Sequence, residues 1–182
     1  EVDDALEIGA MTRQRDLEFS NAVRERWPIM HEALLQVGHR QTRNRGTIGG
    51  SLCHLDPAAE LVSLATGYDA TLTVAGPSGS RELPFAEFPV AYMTPAIELN
   101  EIVVGARFPR WASDHGYAFV EFARRHGDFA THSRAVCEEP HIIAEDIDIV
   151  IIQDAGRGNS RFILDKHNGI VIIIDSNTQL RG

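Results

Sequence analysis

The sequence predicts an α+β fold, on three observations. Stretches with helical spacing and stretches with strand alternation both occur, but they do not take turns regularly. Most connections are too short for the crossover of a parallel βαβ unit, and residues 70–83 read as a hairpin. With 182 residues, the chain is long enough for one domain of ordinary size with a real core.

Taken in order, residues 5–10 form a short strand. Thr12 is placed to cap a helix that carries Phe19 and Val23 on one side, and Pro28 interrupts that helix. A second helix over 29–37 sets Ile29, Ala33 and Val37 at spacing four, which is a core face, and Gly38 stops it. The basic run from His39 to Arg45 is either a solvated loop or a favourable neighbour for a pyrophosphate. Pro57 suits the first turn of a helix over 58–65 with Leu61 and Leu64 inside, and Gly67 ends it. Residues 70–75 alternate and are β-branched, and Gly76-Pro77-Ser78-Gly79 turns them back through Arg81-Glu82-Leu83. Phe85 and Phe88 open an aromatic, proline-punctuated loop through Tyr92, Met93 and Pro95. Strands follow over 101–108 and 117–124. Further on, residues 146–153 read as a strand, and 162–164 with 170–174 as a hairpin across Asn168-Gly169. The run Ile170-Val171-Ile172-Ile173-Ile174 is an aggregation hazard if left unpaired.

Residues 45–60 are where function is to be sought, because a glycine-rich turn there runs into a small-residue helix. Gly46, Gly49 and Gly50 permit positive φ and let another molecule approach without a Cβ in the way. Successive free N–H groups ahead of a helix suit a phosphate or pyrophosphate, and the hydroxyls of Thr47 and Ser51 add donors. Asp56 either accepts from ribose or ribityl hydroxyls or orders the turn through backbone N–H groups. An ordinary tight turn is the other reading, since the string is neither G-x-x-x-x-G-K-[ST] nor G-x-G-x-x-G. Cys53 is either a reactive thiol at a helix N-terminus or a small buried filler.

Composition excludes several classes. A net charge of -9 argues against nucleic acid or an anionic membrane surface as partner. Two cysteines make no disulfide framework, so a reducing cytoplasm is expected. No apolar stretch approaches the ~20 residues needed to span a bilayer, and the acidic start Glu1-Val2-Asp3-Asp4 is not that of a signal peptide. The eight histidines include no pair at zinc-site spacing, so no metal site is expected. Arg124, Arg125, His126 and Asp128 cluster, but no nucleophile is tied to them, and no catalytic residue is assigned.

The string Arg43-Asn44-Arg45-Gly46-Thr47-Ile48-Gly49-Gly50-Ser51, followed by His54-Leu55-Asp56-Pro57-Ala58-Ala59-Glu60, resembles the second FAD-binding segment of the molybdenum hydroxylase flavoproteins. These are the medium subunits of carbon monoxide dehydrogenase and its relatives, and the FAD domain of xanthine dehydrogenase. The resemblance extends to Ile8-Gly9-Ala10-Met11-Thr12, to Glu101-Ile102-Val103-Val104 with Phe108-Pro109, and to residues 123–130, covering about 6–130. It implies the second lobe of a two-lobed FAD-binding domain, a mixed or antiparallel sheet with flanking helices.

The same resemblance implies that Thr47, Gly49, Gly50 and Ser51 hold the pyrophosphate, within a cofactor-binding segment that includes Ile48. Asp56 meets the flavin side, Val37 lies along the cofactor and Val103 abuts the flavin region, although both valines also suit plain packing. Xanthine dehydrogenase has a lysine after the Ala-Phe pair; here Val120 and Glu121 follow Ala118-Phe119. The implied activity is that of an FAD-dependent oxidoreductase subunit, with electron transfer from iron-sulfur clusters through FAD to an acceptor. Its implied partners are a molybdopterin-binding large subunit and an iron-sulfur small subunit. A non-catalytic assembly scaffold that has lost FAD is the alternative. Two departures stand out: the lobe carrying the first glycine-rich segment is expected ahead of residue 1, and the resemblance stops near 130. Residues 1–131 are therefore expected to be a partial FAD-binding domain, and 132–182 a separate β-hairpin-rich tail.

Overall fold

A computed structural model describes residues 5–111, 115–123, 130–138, 151–154, 161–164 and 171–174. Strand β1 (Ala5–Gly9) is followed by the helices α1 (Gln14–Glu18), α2 (Asn21–Arg26), α3 (Pro28–Gln36), α4 (Arg40–Arg45), α5 (Ile48–His54) and α6 (Glu60–Gly67). The hairpin β2 (Thr71–Gly76) and β3 (Gly79–Pro84) leads through a 3₁₀ turn at Phe85–Glu87 to a small hairpin, β4 (Pro89–Ala91) and β5 (Thr94–Pro95). Strands β6 (Ile102–Pro109), β7 (Gly116–Ala123), β8 (Ala130–Glu138), β9 (Ile151–Asp154), β10 (Arg161–Leu164) and β11 (Val171–Ile174) follow.

The main sheet has the order β1-β6-β2-β3, and each neighbouring pair is antiparallel. This is the α+β architecture expected. Alternation sends Leu6, Ile8, Leu72, Val74, Val103 and Phe108 into the core while Glu7, Thr73 and Arg107 lie on the other face. Trp27, Ile29, Met30, Leu34, Ile48, Leu52, Leu61 and Leu64 bring the helices onto the same core. The Trp27 indole donates to Pro109 O at 3.3 Å, joining the helical layer to the end of β6. On the sheet edge Arg81 grips Glu101 through Nε–Oε1 at 2.9 Å and Nη2–Oε2 at 2.8 Å. Those hydrogen bonds hold the Glu101 carboxyl down at about 2.

Local chemistry departs from the sequence reading in five places. Thr12 caps nothing: the single helix expected between Thr12 and Pro28 is two, because Ser20 adopts an extended conformation and accepts from Val23 N at 3.3 Å, capping α2. The break leaves Phe19 53% exposed while Val23 is buried. Pro28 starts α3 at its first position rather than interrupting a helix, since its missing N–H costs nothing there. The basic run is a helix, α4, not a loop. The helix after Pro57 begins only at Glu60, and the expected loop over 85–95 contains β4 and β5, with Met93 at φ 51.

Beyond the main sheet, β7 pairs with β8 across residue 131, and β8 pairs with β9. Strands β10 and β11 pair antiparallel, as expected, and the Asn168-Gly169 turn lies outside the described residues. The cluster Arg124, Arg125, His126 and Asp128 lies outside the described residues, as do 146–150 of the expected strand. No helix among the described residues is long and apolar enough to cross a membrane.

Candidate cofactor site

The glycine segment is held by β1 and the turn after it. Gln14 N donates to Gly46 O at 2.9 Å and Ile48 N to Thr12 O at 3.0 Å, a short antiparallel bridge centred on Arg13 and Thr47. Gly49 N donates to Ala10 O at 2.9 Å, and Thr47, extended at the N-cap of α5, accepts from Gly50 N at 3.1 Å. The row of free N–H groups expected here is therefore absent, because Ile48, Gly49 and Gly50 have already given theirs to the protein.

None of the three glycines needs positive φ, which among the described glycines occurs at Gly38 and Gly79. Each is small for a different reason. A Cβ on Gly49 would lie 2.6 Å from Ala10 Cβ and 2.8 Å from Ala10 O, so that glycine lets α5 touch the chain just after β1. A Cβ on Gly46 would lie 2.6 Å from Gln14 Oε1. Around Gly50 the one neighbour within 4 Å is Thr47 Oγ1, at 2.9 Å, which leaves the outer face of α5 bare.

Against that bare face lies a cavity of about 520 Å³, a size suited to a small-molecule ligand. Gln14, Val37, Gly38, Thr42, Arg45, Gly46, Thr47, Gly50, Ser51, His54, Asp56, Ala59 and Glu60 line it. Of the residues expected at a site, Val37, Thr47, Gly50, Ser51 and Asp56 come together here. Ile48 and Gly49 are buried in α5 and do not line the cavity, and Val103 is buried in β6. Reading the sequence missed Gln14, Thr42, His54 and Glu60 as lining residues. Glu60 had a signal, a carboxylate four residues after Asp56 at the start of an apolar helix; Gln14 had none.

The two ends of the cavity differ in charge. Arg45, Thr42 and Thr47 stand at the start of α5, and His54, Asp56 and Glu60 at or after its end, about 10 Å away for a helix of this length. Arg45 lines the cavity, but Arg43 points inward: its Nε meets Glu18 Oε2 at 2.9 Å and its Nη1 donates to Val37 O at 2.9 Å. The basic run is thus partly structural. Asp56 Oδ1 accepts from Ala58 N at 2.9 Å, so it orders the turn as well as facing the cavity. Cys53 sits toward the C-terminal end of α5, half-buried, and burial pushes its thiol up; a thiol activated by a helix N-terminus is excluded.

Glu60 is 9% exposed, and burial, with smaller contributions from the Glu121 and Asp56 carboxylates, raises its carboxyl to about 7. Burial likewise raises Glu121. The folded chain therefore binds the Glu60 proton more tightly than the unfolded chain does. The resulting stabilisation is complete below about 4.5 and is lost as pH rises through about 7, and a displacement of this size is worth about 3 kcal/mol. Urea unfolding between pH 5 and 8.5 should show stability falling over that window, and Glu60→Gln should flatten the slope. Parallel slopes for parent and variant would remove Glu60 as its source. Among the described residues no group of three or more His, Cys, Asp or Glu side chains is arranged to hold a metal ion.

The donor set fits a dinucleotide such as FAD: a cation and hydroxyls at one end, a face without Cβ in the middle, and carboxylates that accept from sugar-like hydroxyls at the other. A family described as the FAD binding domain in molybdopterin dehydrogenase matches residues 1–111. The chain is 41% identical over 128 residues to the 6-hydroxypseudooxynicotine dehydrogenase complex subunit alpha of Paenarthrobacter nicotinovorans, covering 70% of this chain and 43% of that protein. It is 37% identical over 129 residues to the carbon monoxide dehydrogenase medium chain of Hydrogenophaga pseudoflava, covering 71% and 45%. The chain thus spans less than half the length of these relatives. Among solved structures, a carbon monoxide dehydrogenase from Hydrogenophaga pseudoflava lacking the Mo-pyranopterin moiety aligns with TM-score 0.73 at 30% identity, over 95% of this chain and 56% of that one. Quinoline 2-oxidoreductase from Pseudomonas putida 86 aligns with TM-score 0.70 at 32% identity, over 74% and 47%.

Proposed function

Because the chain belongs to the FAD-binding domain family of the molybdopterin dehydrogenases, we propose that the cavity along α5 holds FAD and that the chain is part of an electron-transferring flavoprotein subunit. The observation that carries this reading is the cavity itself, with Arg45, Thr47 and Ser51 toward one end of α5 and Asp56 and Glu60 at the other. The pyrophosphate lies at the first end, where Arg45 offers charge and Thr47 and Ser51 offer hydroxyls, and bare Gly50 permits close approach. Asp56 and Glu60 meet the ribityl and flavin side, and Val37 forms an apolar wall. Ile48, Gly49 and Val103 act from behind by packing.

When bound, FAD supplies the redox chemistry. The chain's part is to hold and orient the cofactor, to exclude water from one side of it, and to raise the Glu60 carboxyl so that it gains and loses a proton near neutral pH. The partners proposed for the whole protein, by resemblance to that family, are a molybdopterin-binding large subunit and an iron-sulfur small subunit, between which and an acceptor FAD would carry electrons. The setting is the cytoplasm. A scaffold without FAD finds no support in a chain that keeps the cavity and both of its polar ends.

Gly50→Val tests the reading. The added side chain enters the cavity, and bound flavin per chain should fall by at least about tenfold in affinity, ~1.4 kcal/mol. Stability should stay within about 1 kcal/mol of the parent, because the gain in helix propensity offsets a disturbed Thr47 cap. Flavin absorbance and melting temperature are compared in the purified protein. Equal flavin content in parent and variant removes α5 from the site.

A further inference from the structure

We propose that Gln14 is a cofactor-contacting residue, its side-chain amide hydrogen-bonding an oxygen of the phosphate–ribityl stretch of FAD. The proposal rests on the FAD reading above and adds to it a residue outside the glycine segment.

Gln14 is 5% exposed and lines the cavity, yet its Oε1 is sealed from solvent without a partner. No hydrogen bond from either amide atom to another described residue exists. Its location is nonetheless fixed, because Gln14 N donates to Gly46 O beside the Arg13–Thr47 bridge. The protein also makes room for the amide. A Cβ on Gly46 would fall 2.6 Å from Oε1, 2.9 Å from Cδ and 3.2 Å from Nε2, so glycine at that position is what admits the group.

A buried amide oxygen without a partner is a cost to the fold, and an apolar side chain of the same size would fill the space more favourably. Its retention is explained if the amide turns toward the cavity on binding and takes its partner from the ligand. The amide offers two N–H donors and one acceptor, and a half-turn about its terminal torsion exchanges them. Its neighbours Thr42, Arg45 and Thr47 are donor groups around the same end of the cavity, so the matching ligand atom is an oxygen. Both a phosphate oxygen and a ribityl hydroxyl offer one.

The test uses Gln14→Leu and Gln14→Glu in the purified full chain, with FAD affinity read by flavin fluorescence and apo stability by melting temperature. Gln14→Leu should weaken FAD by about tenfold or more while melting at or above the parent. Gln14→Glu then identifies the oxygen: FAD weaker than with Leu marks a phosphate, whose charge the carboxylate repels, and FAD near the parent marks a ribityl hydroxyl, which can donate to it. FAD affinity unchanged in both variants overturns the proposal while leaving the FAD site standing, and means that the amide is satisfied by water. A Gln14→Leu chain that melts well below the parent or fails to fold also overturns it, since the amide would then serve the fold. A parent that binds no FAD takes down the FAD reading, and the contact with it.

Discussion

Arg43→Ala is expected to cost the fold about 3–5 kcal/mol, because it leaves the Glu18 carboxylate buried without its partner. Arg43 and Glu18 are 8% and 7% exposed, and the guanidinium meets both carboxylate oxygens, at 2.9 and 3.4 Å. The same guanidinium donates to Val37 O, so one side chain ties α1, the end of α3 and α4 together. Val37, Gly38, Thr42 and Arg45, all on that frame, form one wall of the cavity. Loss of the pair should therefore loosen the site as well as the fold. Replacing both partners with apolar residues, Arg43→Met with Glu18→Leu, should recover most of the stability, since what is costly is the unpaired charge. Urea denaturation of the single and double variants measures this. A single variant within about 1 kcal/mol of the parent would mean that water reaches Glu18 and the pair is not buried in solution.

Gly49→Ala is expected to destabilise by about 3 kcal/mol, although alanine is the better helix former by about 1 kcal/mol. The new Cβ would lie 2.6 Å from Ala10 Cβ and 2.8 Å from Ala10 O, and the backbone just after β1, held by Ala10 N donating to Val104 O, cannot swing aside as a side-chain tip can. Relief requires parting α5 from β1, which also breaks the Gly49 N to Ala10 O bond. Gly50→Ala, one residue on, meets only Thr47 Oγ1 and should stay within about 1 kcal/mol. Melting of the two variants side by side is the measurement. Equal melting temperatures would show that β1 yields easily, and that the Gly49 contact does not set the spacing of helix and sheet.

What the residues alone determined is what depends on near neighbours in the chain. Alternation in 71–74 gave β2 its faces, Gly76 and Gly79 marked the hairpin, and spacing-four apolar residues put Ile29, Ala33 and Val37 inside. The motif string also located the cavity, because Thr47, Gly50, Ser51 and Asp56 lie within ten residues of one another and α5 keeps them on one flank.

Tertiary structure decided the rest, for reasons that span the chain. That Gly49 faces Ala10 and Gly46 faces Gln14 depends on a bridge between segments over thirty residues apart, and from sequence the three glycines look alike. Whether an arginine of the basic run faces solvent or core depended on Glu18, twenty-five residues earlier. Glu60 became a proton-holding group only when packing buried it within reach of the Asp56 and Glu121 fields. A residue's identity sets what it can donate, accept or fill, but its partner is set by which distant segment the fold lays against it.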